Sequence, residues 1–134
     1  LGLWFPDDNF ACQCPLPPGP HNTIFFYEAL AVCSAIHSIE NMDEPPVKLH
    51  IYTDNCNTVA MFDSLHAKPI YNSLLLSAVD VLLAYRVDLC VEHIPGQQNV
   101  IANALSHFNN KLVKNLIPTA QNFDFQPPQD VLGA

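Results

Sequence analysis

Four residues have the type and placement to do chemistry: Glu28, Asp54, His93 and Asn103. Glu28 lies in FFYEALAV and is the only charged residue between His21 and Glu40. A carboxylate in so apolar a run is costly unless it is paired or holds a cation. Near the start of a helix it is also a common and cheap charge. Asp54 stops the β-branched run VKLHIYT. Ligands gather at the carboxyl ends of strands in α/β sheets, which favours a functional acid there. The same position suits an N-cap for the helix that follows, and the local residues do not choose between the two. Asn103 sits one turn into the helix of VEHIPGQQNVIANALSHF, with His93 ten residues earlier. A carboxylate there would face the same way as the two earlier acids and complete a metal site. An amide brings no charge.

The elements that must position these groups follow from period and punctuation. LGLWF and NFACQCPL flank the polar turn Pro6-Asp7-Asp8-Asn9, which predicts a hairpin. PLPPGP is a stiff loop. A helix capped by Asn22 or Thr23 is expected to about residue 40, apolar on almost every face and so buried on most sides. Asp43-Glu44-Pro45-Pro46 ends it. A strand over 47–53, a short helix in NTVAMFDSLH and a longer helix in YNSLLLSAVDVLLAYR follow. The longer helix is expected to turn Leu75, Val79, Leu82 and Leu83 inward. VDLCVEHI reads as a strand with Val87, Leu89 and Val91 on one face and Asp88 and Glu92 on the other. A helix over 99–114 precedes a tail or linker from 115 to 134, rich in proline and glutamine. This alternation predicts an α/β layered fold with mixed strand pairing.

The 134 residues suffice for one domain with a real core. Nearly half are apolar, yet no stretch approaches the length of a membrane span, and no membrane role is expected. The chain opens on a strand-like LGLWF, which reads as a fragment of a longer protein. With no basic-then-apolar leader, an intracellular setting, cytoplasmic or nuclear, is expected rather than secretion. Five lysines and arginines against thirteen acids give a net charge of −8, which opposes nucleic-acid binding. The five cysteines suggest buried thiols in a reduced compartment. Cys12-x-Cys14 has no second pair at zinc-like spacing. His21, His37, His50, His66 and His107 also lack metal-like spacing and read as structural or surface residues, while Trp4, Phe5, Tyr27 and Tyr52 read as core.

FYEALAV, IYTDN and HIPGQQNVIANALSHF, in that order, resemble the ribonuclease H domain of retrotransposon reverse-transcriptase polyproteins. The resemblance is to elements of the gypsy type or of the fungal tyrosine-recombinase (DIRS-like) class, to which the tail FQPPQDVLGA is similar. The resemblance covers about residues 1 to 108. It implies a ribonuclease H-like mixed sheet flanked by helices over residues 1–114, lacking its first, central strand. It also implies neighbouring reverse transcriptase and recombinase or integrase domains.

In that family four carboxylates hold two divalent metals, Mg2+ or Mn2+, about 4 Å apart, and the substrate is the RNA strand of an RNA–DNA hybrid. By resemblance Glu28 is the helix glutamate, Asp54 the strand-end aspartate and His93 the mobile histidine. Asn103 stands where the family has its fourth aspartate. The first family acid belongs to a strand that would precede LGLWF. With one ligand substituted and one missing, metal binding is expected to be weak or absent and the domain catalytically inactive. Without the first strand, Leu1–Phe5 is expected either to pair with Val47–Thr53 or to leave an open edge. Two further readings stay open: an active metal-dependent ribonuclease H completed by a missing strand or partner, and a domesticated protein-binding scaffold.

Overall fold

The computed structural model describes residues 1–17 and 23–129. In chain order its elements are β1 (Gly2–Phe5), β2 (Phe10–Gln13), α1 (Ile24–His37), β3 (Lys48–Thr53), α2 (Cys56–Ser64), α3 (Asn72–Tyr85), β4 (Asp88–His93), α4 (Val100–Ser106), α5 (Asn110–Leu116) and β5 (Gln121–Asp124). Short 3-10 turns occupy Ser38–Asn41, Pro69–Tyr71 and Gly96–Gln98. Pairing is mixed, antiparallel for β1–β2 and parallel for β2–β5 and β3–β4, so the fold is α/β. The chain divides into two compact units. The first comprises Leu1–Pro17 and Pro95–Gln126, the second Pro18–Ile94 and Pro127–Ala134.

In the first unit the expected hairpin forms in the register Gly2↔Gln13 to Phe5↔Phe10. Its turn closes when the Asn9 amide donates to the Pro6 carbonyl at 3.3 Å, with Asn9 at φ 51. Asparagine tolerates this left-handed conformation better than most residues. The rings of Phe5 and Phe10 stack at 4.4 Å across the strands. The unit's core is Ala11, Ala104, Leu105 and Val113, with Trp4, Ile101 and Ile117 packed against it. Helix α4 lies directly on β1. A Cβ on Gly2 would fall 2.5 Å from the Ala102 carbonyl oxygen and 2.7 Å from both Leu105 Cβ and the Ser106 nitrogen.

Two features of this unit differ from the sequence reading. The single helix expected over 99–114 is two helices. Phe108 takes a left-handed φ of 56, and the Asn109 side chain caps α5 by accepting from the Leu112 amide at 3.4 Å. Asparagine favours such local bonds over continuing a helix. The second difference lies in the expected tail, where β5 pairs parallel to β2 in the register Phe10↔Gln121 to Gln13↔Asp124. The Asn122 side chain donates to Gln13 Oε1, and Phe123 meets Phe10 edge-on at 6.2 Å.

In the second unit β3 and β4 form a two-stranded parallel sheet, Lys48↔Asp88 to Thr53↔His93. Leu49, Ile51, Leu89 and Val91 share one face, on which α1 and α2 pack. The other face, with Lys48, His50, Tyr52, Asp88 and Glu92, is exposed. Tyr52 is therefore not a core residue: it is 53% exposed. Thr23 caps α1, its hydroxyl accepting from the Phe26 amide at 3.1 Å, whereas the alternative cap Asn22 lies outside the described residues. As expected, α1 is buried along most of its length, from Phe26 to Ile36.

Helix α3 packs on α1 through Leu74, Leu75, Ser77, Ala78 and Val81. The inward face is thus turned from the expected one: Leu75 is inside, Val79 and Leu82 are half-buried, and Leu83 is 72% exposed. The face that packs carries a polar tie at Ser77. His37 Nε2 and Ser77 Oγ lie 2.7 Å apart, while His37 Nδ1 meets Glu40 at 2.8 Å. Cys33 Sγ also donates to the Leu74 carbonyl at 3.5 Å. Among the described residues no single helix is long and apolar enough to cross a membrane.

Candidate functional site

Because β3 and β4 are parallel and in register, their carboxyl ends arrive together. The ladder runs one step past them, with the Ile94 amide donating to the Thr53 carbonyl at 2.9 Å. Asp54 follows β3 directly, and His93, exposed, ends β4. The N-cap of α2 is Asn55. Its Oδ1 accepts from the Thr58 amide at 2.9 Å and from the Thr58 hydroxyl at 3.1 Å. Asp54 is therefore released from the capping role that the local sequence left open, and its carboxylate is available for other chemistry.

Helix α1 brings Glu28 to this end of the sheet, where it accepts from the Thr53 hydroxyl. Burial pushes the Glu28 carboxyl above the usual carboxylate range, and the nearby Asp54 charge pushes it further up. The Thr53 hydrogen bond opposes both and is the weaker influence. The pair is thus held together with an excess of negative charge in a half-buried place. Such an arrangement is relieved either by a proton or by a cation.

This has a measurable consequence for stability. The folded-state pKa of Glu28 is raised above its unfolded value, so the folded chain keeps this proton to higher pH. Its contribution is fully present below the unfolded pKa and is lost as pH rises through the folded one. Glu28→Gln, uncharged at every pH and still able to accept from Thr53, is therefore expected to melt above the wild type at neutral pH. The gain should shrink at mildly acidic pH. A lower Tm for the variant at neutral pH would show that the carboxylate is satisfied by other means.

Glu28, Asp54 and His93 belong to the second unit and Asn103 to the first. Within its own unit Asn103 is committed locally. Its Nδ2 donates to the Gly96 carbonyl at 3.4 Å, and its backbone carbonyl accepts from the Ser106 hydroxyl at 2.8 Å and from the His107 amide at 3.1 Å.

No family model matches the chain, and neither does any curated protein or any solved structure. The reading of the site therefore rests on its own residues and their chemistry. By donor type alone, Glu28 and Asp54 suit one divalent cation. Two carboxylates, with waters completing the shell, are a usual magnesium environment. They do not by themselves fit a pair of metals.

The sequence reading missed a second group. His50, Cys90 and Glu92 converge on the open face of β3–β4, their ligand atoms within 4.8 Å of one another. Forty residues separate His50 from Cys90, so no local spacing announces the cluster. The available signal was the alternation of His50 with Tyr52 and of Cys90 with Glu92 on the polar sides of two strands.

Proposed function

We propose that this chain is a ribonuclease H-like domain of retroelement origin whose nuclease site has lapsed. The observation that carries the reading is the pairing of Glu28 with Asp54 at the carboxyl end of β3, with Asp54 freed by the Asn55 cap. The motifs around those residues supply the family. In this reading Glu28 and Asp54 would hold at most a single Mg2+ or Mn2+, and weakly; its chemistry would be to polarise a phosphate oxygen or a water. Asn103 adds no charge, and an acidic chain attracts the RNA–DNA hybrid poorly. Neighbouring reverse transcriptase and recombinase domains, and an intracellular setting, belong to the same proposal.

The test is incubation of the full chain with an RNA–DNA hybrid in Mg2+ and in Mn2+, beside Glu28→Gln, with melting curves in both metals. The wild type is expected to leave the hybrid uncut at the level of the variant. Millimolar Mg2+ should raise the wild-type Tm and not that of Glu28→Gln. Cleavage abolished by Glu28→Gln would overturn the lapse in favour of an active ribonuclease H. A Tm indifferent to both metals would remove the cation from the pair and leave the lapsed site without any metal.

A protein-binding scaffold is the second reading, favoured by unpaired strand edges. Among the described residues β1 pairs only with β2, and β3 only with β4. An open edge offers a row of backbone donors and acceptors to an added strand.

A further inference from the structure

We propose that His50, Cys90 and Glu92 form a binding site for a zinc-class divalent metal on the open face of β3–β4, independent of the Glu28–Asp54 pair. The parallel register sets His50 directly across from Cys90 and Tyr52 directly across from Glu92. Four side chains on two successive rungs therefore point to one side of the sheet. His50 Nε2 lies 2.9 Å from Glu92 Oε1, and Cys90 Sγ lies 3.8 Å from the same oxygen. At usual bond lengths a tetrahedral zinc holds N, O and S ligand atoms roughly 3.3–3.6 Å apart. The two separations to Glu92 are within a few tenths of an ångström of that range, and the ligand atoms of His50 and Cys90 lie within 4.8 Å of each other, a gap that rotation of these solvent-facing side chains closes. Tyr52 stacks on the imidazole at 4.6 Å and 15°, which restrains the ring in the orientation that presents Nε2.

The donor set decides the metal. Imidazole, thiolate and carboxylate together suit zinc or cobalt, whereas magnesium and calcium prefer oxygen alone. Three protein ligands leave the fourth position to water, and His50 and Glu92 are open to solvent, so the ion has a way in. On binding, Cys90 loses its thiol proton to solvent. The hydrogen bond between Nε2 and Glu92 gives way to two metal bonds, with the imidazole proton carried on Nδ1. Affinity should therefore rise with pH. A bound ion would tie β3 to β4 through side chains as well as backbone.

The experiment is titration of the full reduced chain with Co2+, followed by absorption. The expected result is a thiolate-to-cobalt charge-transfer band in the near ultraviolet that corresponds to one ion at Cys90 and is displaced by Zn2+. Cys90→Ser should abolish the band, and His50→Ala should weaken binding about tenfold or more, since even outer-shell changes cost that much. Cys56→Ser, an exposed thiol on α2, and Glu28→Gln should leave the band in place. In the wild type, Zn2+ should also shield Cys90 from alkylation read by mass spectrometry, a measurement that needs no variant to fold. Absence of the band at saturating Co2+, its survival in Cys90→Ser, or alkylation of Cys90 unchanged by Zn2+ would each overturn the site.

Discussion

Alanine at Gly2 is expected to destabilise the first unit by about 3 kcal/mol, the upper end of the usual cost of overpacking. The added methyl would meet the Ala102 carbonyl oxygen, Leu105 Cβ and the Ser106 nitrogen, all closer than real Cβ atoms approach. None of these is the far end of a flexible side chain, so relief requires α4 to move off β1. That movement opens the core of Ala11, Ala104 and Leu105, on which Trp4 packs. Trp4 is the only tryptophan, and its fluorescence during urea unfolding reports this unit. A lowered midpoint is the expected outcome. An unchanged midpoint would mean that α4 does not lie against β1.

Leu30→Ala is expected to cost the second unit about 2–5 kcal/mol, the range for deleting a fully buried leucine side chain. Leu30 is wholly inaccessible on α1, the helix that packs on both β3 and α3. Phe26 and Ile36 on the same helix and Leu74 on α3 are buried as well, so the substitution falls in a closely packed region that collapses little. All four tyrosines belong to this unit, and their near-ultraviolet circular dichroism follows its melting. Ile36→Val, at an equally buried site, removes one methylene and should cost only about 0.5–1.5 kcal/mol. Equal effects of the two substitutions would argue against a packed interior. Losses of this size are a large share of the roughly 5–15 kcal/mol that ordinarily holds a domain together.

Much of the local structure was legible because local signals carried it. The hairpin followed from two apolar runs around Pro6-Asp7-Asp8-Asn9, and Asn9 indeed supplies the left-handed residue of the turn. Helix α1 followed from Thr23 and an apolar run, and β3 and β4 from β-branched runs cut off by polar residues. The break between α4 and α5 was less legible. Phe108 is not a residue that advertises a left-handed φ, and the signal lay in Asn109, which can cap a helix as readily as sit inside one. The inward face of α3 was misjudged for a different reason. With leucine or valine at 74, 75, 76, 79, 81, 82 and 83, hydrophobic period alone allows several faces, and the one that packs on α1 carries the Ser77–His37 hydrogen bond.

By itself the sequence determined which segments become helices and strands, and which carboxylates stand at their ends. Those outcomes depend on dihedral preferences, caps and period, all read within a few residues. Only the tertiary structure decided how strands distant in sequence pair. It set β5 beside β2 across more than a hundred residues, and it put His50 opposite Cys90. It also decided that Asn55 rather than Asp54 caps α2, and that burial, with the charge of Asp54 added to it, raises the pKa of Glu28. Pairing and electrostatic coupling depend on distance in space, and the register of a parallel sheet is set by packing rather than by any turn between its strands.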